Sequence, residues 1–589
     1  MKLKDIKSLL NLPEWSKPVY SDFSDISFSC FDEAIKEGKK PKEFAEDLSK
    51  RISSEYIKSV EAMNGYINIS MDFSSLNTHT GFLNGENDNS TENIFSGKNI
   101  RLEHTSVNPN KGLHIGHMRN SYIGEFMRRC FLYSSSNVIT SNFIEDTGAQ
   151  VADIIVGFKY LGKKIDTDIK FDLYCSKIYK EVNQLYESDS TLLEKRRKVL
   201  LDIENKNEET LEILEKIVDK VLSAQLVTLS GERIKYDLLD LERYILGEGI
   251  VKKALDKLLE EKIAFISESD KNKGCIVTLI DGKEVTLTRS DGTALYIAKD
   301  LAYAMIKHGI LHENIKYKPF GQNYDGSEIL ISNKDGKESV LKQIDMSFTL
   351  TDSAQNAEQA AVKSIIEKFI GTNSYNHYSY EPVAISNNTA SIMGIKTEDK
   401  FIRMSGRKGI TVEFDDLITA VKKRIIEEGE KSGKDVNKED ALKVASSVIR
   451  YYILKFSPSK MVVFDINDAT SLKGDSGLYI NYSYSRALSV LKKAGKIDSG
   501  KIEFHTEESS FIKELFFWEE NLENAVINLR PNLICDYLHR VCDYFNSFYE
   551  KNRVIGDLNE TARIAIIKYF VHIVERLSYF LGIDLVERI

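Results

Sequence analysis

The rhythm of apolar and polar positions changes along the chain, and the changes divide it. Near the start, Glu43-Phe44-Ala45-Glu46-Asp47-Leu48 has helical spacing, and Gly65-Tyr66-Ile67-Asn68-Ile69 alternates as a short strand. The polar run from Asn84 to Thr91 predicts a linker. Residues 1–95 are therefore expected to form a small α+β domain. From Asn99, short strands alternate with helices, the pattern of a parallel α/β sheet. Residues 170–260 read as long charged helices; Leu211-Glu212-Ile213-Leu214-Glu215-Lys216-Ile217-Val218 suits a solvated helix face better than an RNA site. Residues 274–288 alternate around Asp281-Gly282 and predict a β-hairpin. After about Val412 the pattern is almost wholly helical to Ile589, and no internal repeat is found.

Composition narrows the class. A chain of 589 residues is too long for one core, so three to five domains are expected. Hydrophobic residues make up 42% and charged residues 29%, an ordinary globular balance. No apolar run has the length to span a bilayer, and Met1 to Trp15 holds no continuous apolar stretch, so neither a membrane span nor a secretory leader is expected. The six cysteines form no CxxC pair and no zinc spacing; they are expected as buried reduced thiols of a cytoplasmic protein. The net charge of −9 opposes non-specific polyanion binding, and hence DNA as a partner, but leaves room for local RNA-binding patches.

The densest chemistry lies between Arg101 and Asn120. Arg101 to Thr105 predicts a strand, Asn108-Pro109 and Lys111-Gly112 break it, and a helical pattern runs from His114 through Tyr122, Phe126 and Arg129. His114 and His117 thus fall where a strand ends and a helix begins, at the sheet edge where α/β folds bind ligands. A helix N-terminus offers free N–H donors to phosphate. Gly116, lacking a side chain, permits close approach of a nucleotide. The two histidines lie three apart on one helix face and can donate to phosphate oxygens. Such a pair also suits a metal, but no Glu or His partner follows at zinc spacing, so no metal site is expected. Some 290 residues on, Arg403-Met404-Ser405-Gly406-Arg407-Lys408-Gly409 sets a basic pair among small residues, the make-up of a mobile triphosphate-gripping loop or of an ordinary basic surface loop.

His114-Ile115-Gly116-His117 resembles the HIGH motif of class I aminoacyl-tRNA synthetases, and Asn108 through Arg119 resembles its arginyl-tRNA synthetase form. The 403–409 segment is similar to the KMSKS loop in that family's MSTRKG version. Arg403 stands where the wider class has a lysine, and Lys111 fits the lysine that many arginyl enzymes carry before the histidine motif. The resemblance implies a Rossmann-type catalytic domain at 96–415 with an insertion at about 160–290, a helical junction at 416–470, and an all-α anticodon-binding bundle at 471–589. Residues 1–95 would touch the tRNA elbow.

It further implies an arginine–tRNA ligase that forms arginyl-adenylate from ATP and transfers arginine to the terminal 2′-hydroxyl of its tRNA. ATP would carry Mg2+ without a dedicated protein cage, no zinc would be needed, and a monomer is expected. Lys111, His114, His117, Arg407 and Lys408 are the implied catalytic donors, and His114, Gly116, His117, Met404, Ser405 and Lys408 the ATP contacts.

Arginine is doubly cationic at its side chain and α-amino group, so its pocket needs carboxylates and neutral acceptors. Glu103, Asn108 and His114 are implied from the first motif. Ser290 through Asp300 resembles the family's SDGTxxYxxxD stretch and adds Tyr296 and Asp300, four apart on one helix face; read alone, that helix would be ordinary and amphipathic with an exposed Asp. Gln355, after the apolar Phe348-Thr349-Leu350, matches a pocket glutamine. Asp352 stands where many relatives have a small residue and signals either a different turn or an added negative charge. In Asn142 through Gln150, Asp146 is a candidate helix cap and Gln150 a candidate site residue.

Ser476 through Arg486 resembles the family's TGPYxQYAxxR stretch. Tyr482 and Arg486, four apart, are the implied tRNA contacts, while Tyr479, Tyr537, Phe545 and Phe548 read as packing. Ile589 replaces a usual terminal Met.

Other readings are weaker. The cysteine enzyme of the same class is opposed by the missing zinc-ligand cysteines. A non-catalytic RNA-binding paralogue is opposed by intact His114, His117, Ser405 and Lys408. A small nucleotidyltransferase would lack the helical tail.

Overall fold

Six parallel strands carry the central sheet of the larger unit, residues 91–425 with 452–469. They are β1 (Asn99–Glu103), β2 (Asn137–Ile144), β3 (Leu238–Leu241), β4 (Glu328–Ser332), β5 (Met346–Asp352) and β6 (Tyr375–Tyr380), in the order β4-β3-β2-β1-β5-β6. Lys316–Gln322 and Lys337–Glu338 extend the β4 edge antiparallel. This computed structural model describes residues 2–21, 23–84, 93–165, 167–247, 249–338, 344–403, 412–431, 437–494 and 502–588.

Helices cover both faces, so even polar strand residues are buried and must be paired. Arg101 on β1 meets Asp240 on β3 at 2.6 Å, and the hydroxyls of Tyr303 and Tyr317 donate to the same carboxylate at 2.5 and 2.7 Å. Helix α1 (Ile115–Tyr133) follows β1, α2 (Ala149–Tyr160) follows β2, and α3 (Tyr296–Lys307) packs on α4 (Asn356–Ile370) through Leu301, Ala302, Met305, Val362, Ile365 and Ile366.

The stretch 170–260 departs from its helical reading at one point. Phe171–Leu185, Ser190–Glu204 and Glu208–Gly231 are helices, but β3 follows as a sheet strand before helices resume at Glu242–Ile245 and Ile250–Glu260. All four β3 residues are buried, and Asp240 tolerates this because Arg101 neutralises it. The hairpin lies where its turn predicted it: Ile276–Ile280 pairs with Lys283–Thr286, and Asp281 and Gly282 both have positive φ, 49° and 75°. Past Val412, among the described residues, one short strand, Val462–Phe464, interrupts the helices and runs parallel to Val383–Ser386.

The second unit joins both ends of the chain, residues 1–90 with 426–451 and 470–589. Its four-stranded antiparallel sheet has the order Val19–Tyr20, Ile26–Ser29, Tyr66–Met71, Ile57–Met63, and carries helices including Pro41–Ser49 and Phe73–Thr80. The C-terminal helices include Gly477–Ala494, Thr506–Phe516, Pro531–Lys551 and Glu560–Leu581. Phe73 and Phe82 pack edge-on against Phe516 at 5.3 and 5.0 Å, and Lys513 Nζ donates to the carbonyls of Ser21 and Ser24 at 2.6 Å each. Of the linker expected at 84–91, Asn84 ends a short 3-10 turn, and 85–91 lie outside the described residues. None of the six cysteines forms a disulfide, and five of them are buried. No described helix is long and apolar enough to cross a membrane.

Candidate active site

Strand order reverses between β1 and β5, and a parallel sheet binds its ligand beyond the carboxyl ends at such a point. Glu103 ends β1 there. The next residues turn sharply: Thr105 and Ser106 hold φ of 74° and 45°, a region side chains rarely adopt. Side-chain acceptors fix both amides. Thr105 N donates to Asn120 Oδ1 at 2.5 Å and Ser106 N to Asn142 Oδ1 at 2.9 Å. Asn120 in turn donates to the Leu350 carbonyl at 2.9 Å, tying α1 to β5. Two helices of the 170–230 stretch support the following loop. Gln225 Nε2 donates to the carbonyls of Lys111 (2.8 Å) and Asn108 (3.3 Å), and Gly112 N donates to Ser176 Oγ at 2.9 Å.

His114 is the N-cap of α1. Its Nδ1 accepts from the amides of Gly116 (3.1 Å) and His117 (3.4 Å), while His117 Nδ1 accepts from the amide of His114 (3.1 Å). The rings stack with centroids 3.5 Å apart. A nitrogen accepting from N–H carries no proton, so each neutral ring has its proton on Nε2. Burial, with the Lys111 charge added, pushes the His114 pKa down to about 3, and burial beside His114 and Lys111 holds His117 well below its usual range. Both rings are thus neutral N–H donors at pH 7. The close approach that needs Gly116 is made by the protein itself: a Cβ there would lie 3.0 Å from the His114 ring. Burial lowers the Lys111 pKa, opposed by Glu413.

Met404, Ser405, Arg407 and Lys408 lie outside the described residues, but both flanks of their segment are placed. Arg403 ends strand Phe401–Arg403, paired with Ala384. On the far side, Glu413 bridges to His114, and Phe414 N donates to the Leu113 carbonyl at 2.7 Å. Glu413 and Phe414, which follow that segment in the sequence, therefore lie against the histidine motif.

Acidic groups gather nearby on the same sheet edge. Glu103 is buried and accepts from Lys307 Nζ at 2.5 Å. Asp300, on α3, accepts from Gln359 Nε2 at 2.9 Å. Burial, then the Glu103 charge, raises its pKa to about 7 against the pull of Lys307. Tyr296 starts α3 and is exposed, with Lys299 Nζ 5.8 Å from its ring centre. Asn108 Nδ2 donates to Glu145 Oε2 at 3.3 Å. Burial and Glu242 raise the Glu145 pKa.

Gln355 is exposed at the end of a short 3-10 turn; Gln359, one helical turn on, is the glutamine that reaches Asp300. Asp352 caps that turn by accepting from Ala354 N at 2.9 Å, so the local turn accounts for it. Asp146 does not cap α2, whose N-cap is Gly148; its carboxylate pairs with the Arg243 guanidinium at 3.1 Å and accepts from the Arg243 amide, in the first turn of the helix Glu242–Ile245, at 3.1 Å. Gln150 lies half-buried in the first turn of α2. The sequence reading missed Gln225, Glu145 and Gln359. Glu145 was findable, because it directly follows β2 at the ligand edge; Gln359 shares the helix face of Gln355.

In the second unit, Arg486 Nη2 donates to Tyr482 Oη at 2.5 Å and Nη1 to Asn546 Oδ1 at 2.7 Å, and the guanidinium lies over the rings of Tyr482 (4.6 Å) and Tyr549 (5.3 Å). Tyr479, expected in the core, is half-buried and donates to Asp543 at 2.7 Å. Tyr537, Phe545 and Phe548 are buried, as read. Ile589 lies outside the described residues.

Family models match three parts of the chain: "Arginyl tRNA synthetase N terminal domain" at 4–71, "tRNA synthetases class I (R), catalytic domain" at 83–318, and "DALR anticodon binding domain" at 480–589. The arginine–tRNA ligase of Thermococcus kodakarensis is 30% identical over 566 residues, covering 88% of this chain and 85% of the relative. The chain belongs to the arginyl-tRNA synthetase family. The Archaeoglobus fulgidus arginine–tRNA ligase is 29% identical across 96% of this chain and 95% of its own length. The solved arginyl-tRNA synthetase of Thermus thermophilus superposes with a TM-score of 0.82 at 25% identity, covering 99% of this chain and 98% of that one. That of Plasmodium falciparum, at 17% identity and a TM-score of 0.74 (100% and 99% covered), shares the fold. This arginyl-tRNA synthetase is accordingly an arginine–tRNA ligase that uses ATP, arginine and its cognate tRNA.

Proposed function

We propose that Lys111, His114, His117, Arg407 and Lys408 stabilise the charge that develops on ATP as the arginine carboxylate attacks the α-phosphorus and pyrophosphate leaves. This step asks the protein for positioning and charge stabilisation rather than acid–base chemistry. The bridge from Glu413 to His114 carries the reading, since Glu413 follows Lys408 by five residues in the sequence. His114 and His117 present neutral Nε2–H donors, and Gly116, Met404 and Ser405 line the nucleotide. ATP enters as its magnesium complex, the metal travelling with the phosphates as part of the substrate.

Glu103, Asn108, Tyr296, Asp300 and Gln355, with His114, hold arginine, Asp300 taking the guanidinium. Transfer then goes to the terminal ribose 2′-hydroxyl. Tyr482 and Arg486 contact the anticodon region through ring and guanidinium faces. Residues 1–95, 96–415, 416–470 and 471–589 act as elbow-contacting domain, catalytic domain, junction and anticodon-binding bundle of a monomer. Pyrophosphate exchange after Lys408→Ala tests the proposal: a loss of about 100-fold is expected, the usual size for a transition-state donor, and wild-type exchange would remove the segment from the mechanism.

A further inference from the structure

We propose that Gln359 is a positioning residue for arginine recognition, its amide keeping Asp300 in the ionised form that pairs with the substrate guanidinium. The proposal rests on the reading of Asp300 as the guanidinium partner.

Gln359 sits near the start of α4 and is 2% exposed, so both ends of its amide must find partners. Tyr375, on β6, donates its hydroxyl to Gln359 Oε1 at 2.6 Å. That fixes the amide's orientation and leaves Nε2 to donate to Asp300 Oδ2 at 2.9 Å. Reversed, the amide would face Asp300 with an acceptor, which only a protonated carboxyl satisfies. Among the described residues Asp300 Oδ1 accepts no hydrogen bond, which leaves that oxygen for the substrate.

The groups facing Asp300 decide why this bond matters. Glu103 from β1 and Glu358 from α4 favour its protonated form, and Tyr375 from β6 lies alongside. On its own helix, Lys307 opposes them, but its ammonium is already committed to Glu103 at 2.5 Å and also reaches Thr349 Oγ1 at 3.3 Å. The Gln359 amide is the neutral donor bonded directly to the Asp300 carboxylate. A hydrogen bond to the charged form favours that form, and only the ionised carboxylate gains from a cation rather than a neutral urea. Gln359 thereby favours arginine over its neutral isostere citrulline.

The test is tRNA-saturated aminoacylation by the full-length enzyme between about pH 6 and 9, on wild type, Gln359→Met, Gln359→Glu, Tyr375→Phe and Asp300→Asn. Loss of a charge-assisted hydrogen bond should raise KM for arginine about tenfold at pH 7 and move the acid limb of kcat/KM up by about one pH unit. The kcat at saturating arginine should stay within about twofold, and so should inhibition by citrulline. Gln359→Glu should move the limb further, and Tyr375→Phe should move it in the same direction by less. An acid limb at the wild-type position in the folded Gln359 variants, or equal loss of kcat at every pH, would overturn the proposal. A wild-type KM for arginine in Asp300→Asn would instead overturn the reading of Asp300, and this inference with it.

Discussion

The rings of His114 and His117 stack 3.5 Å apart, and each turns its Nδ1 onto the backbone that carries the other. One arrangement thus closes the first turn of α1 and leaves two Nε2–H groups to donate. Replacing His114 by Asn separates the two roles. Asn is a good N-cap, so the helix start survives, but the Nε2–H donor is lost. Turnover should fall by about 100-fold; a thermal melt should show little change. Wild-type turnover would show that His114 only caps.

The same rings set a pH dependence of stability. Their folded pKa values lie below the unfolded one, so the unfolded chain takes up protons first. The stability they contribute is present above about pH 6.5 and is lost as pH falls from there toward the folded values. Denaturant melts between about pH 7 and 5 should show a smaller proton uptake on unfolding for His114→Asn than for wild type.

Gly116→Ala adds a methyl 3.0 Å from the His114 ring. In a helix the exchange ordinarily stabilises by up to about 1 kcal/mol. Here the imidazole must shift to make room, so turnover should drop at least about tenfold while stability changes by no more than about 1 kcal/mol. Parallel kinetics and melts would show whether activity and stability part in this way.

Arg486→Ala removes a guanidinium that lies over two rings and bonds to Tyr482 and Asn546. If that face meets a base, KM for tRNA should rise about tenfold or more, with KM for arginine at its wild-type value. A matching rise in both would assign Arg486 to packing.

What the sequence disclosed follows from where side-chain chemistry and chain geometry coincide. The start of α1 was legible because Asn108-Pro109 and Lys111-Gly112 break the strand ahead of a cap that is also a ligand-type residue. The hairpin was legible because Asp281-Gly282 suits paired positive φ. Leu238–Leu241 was not, since four buried residues cannot be told from a helix segment by periodicity, and Asp240 reads as polar until Arg101, 139 residues away, is seen to pair with it. Gln359 was hidden for the same reason: its partners, Asp300 and Tyr375, lie on α3 and β6, and a glutamine in a helix announces nothing by spacing. Gln225 and Ser176 fell within a stretch read only as long charged helices, yet they hold the loop that carries Lys111.

Arginine and ATP should meet at the reversal of the sheet order. A structure of the enzyme with a non-hydrolysable arginyl-adenylate analogue tests this directly. The guanidinium should lie within hydrogen-bond distance of Asp300 and the phosphate mimic beside His114 and His117. A guanidinium bound away from Asp300, or an adenylate remote from both histidines, would contradict it.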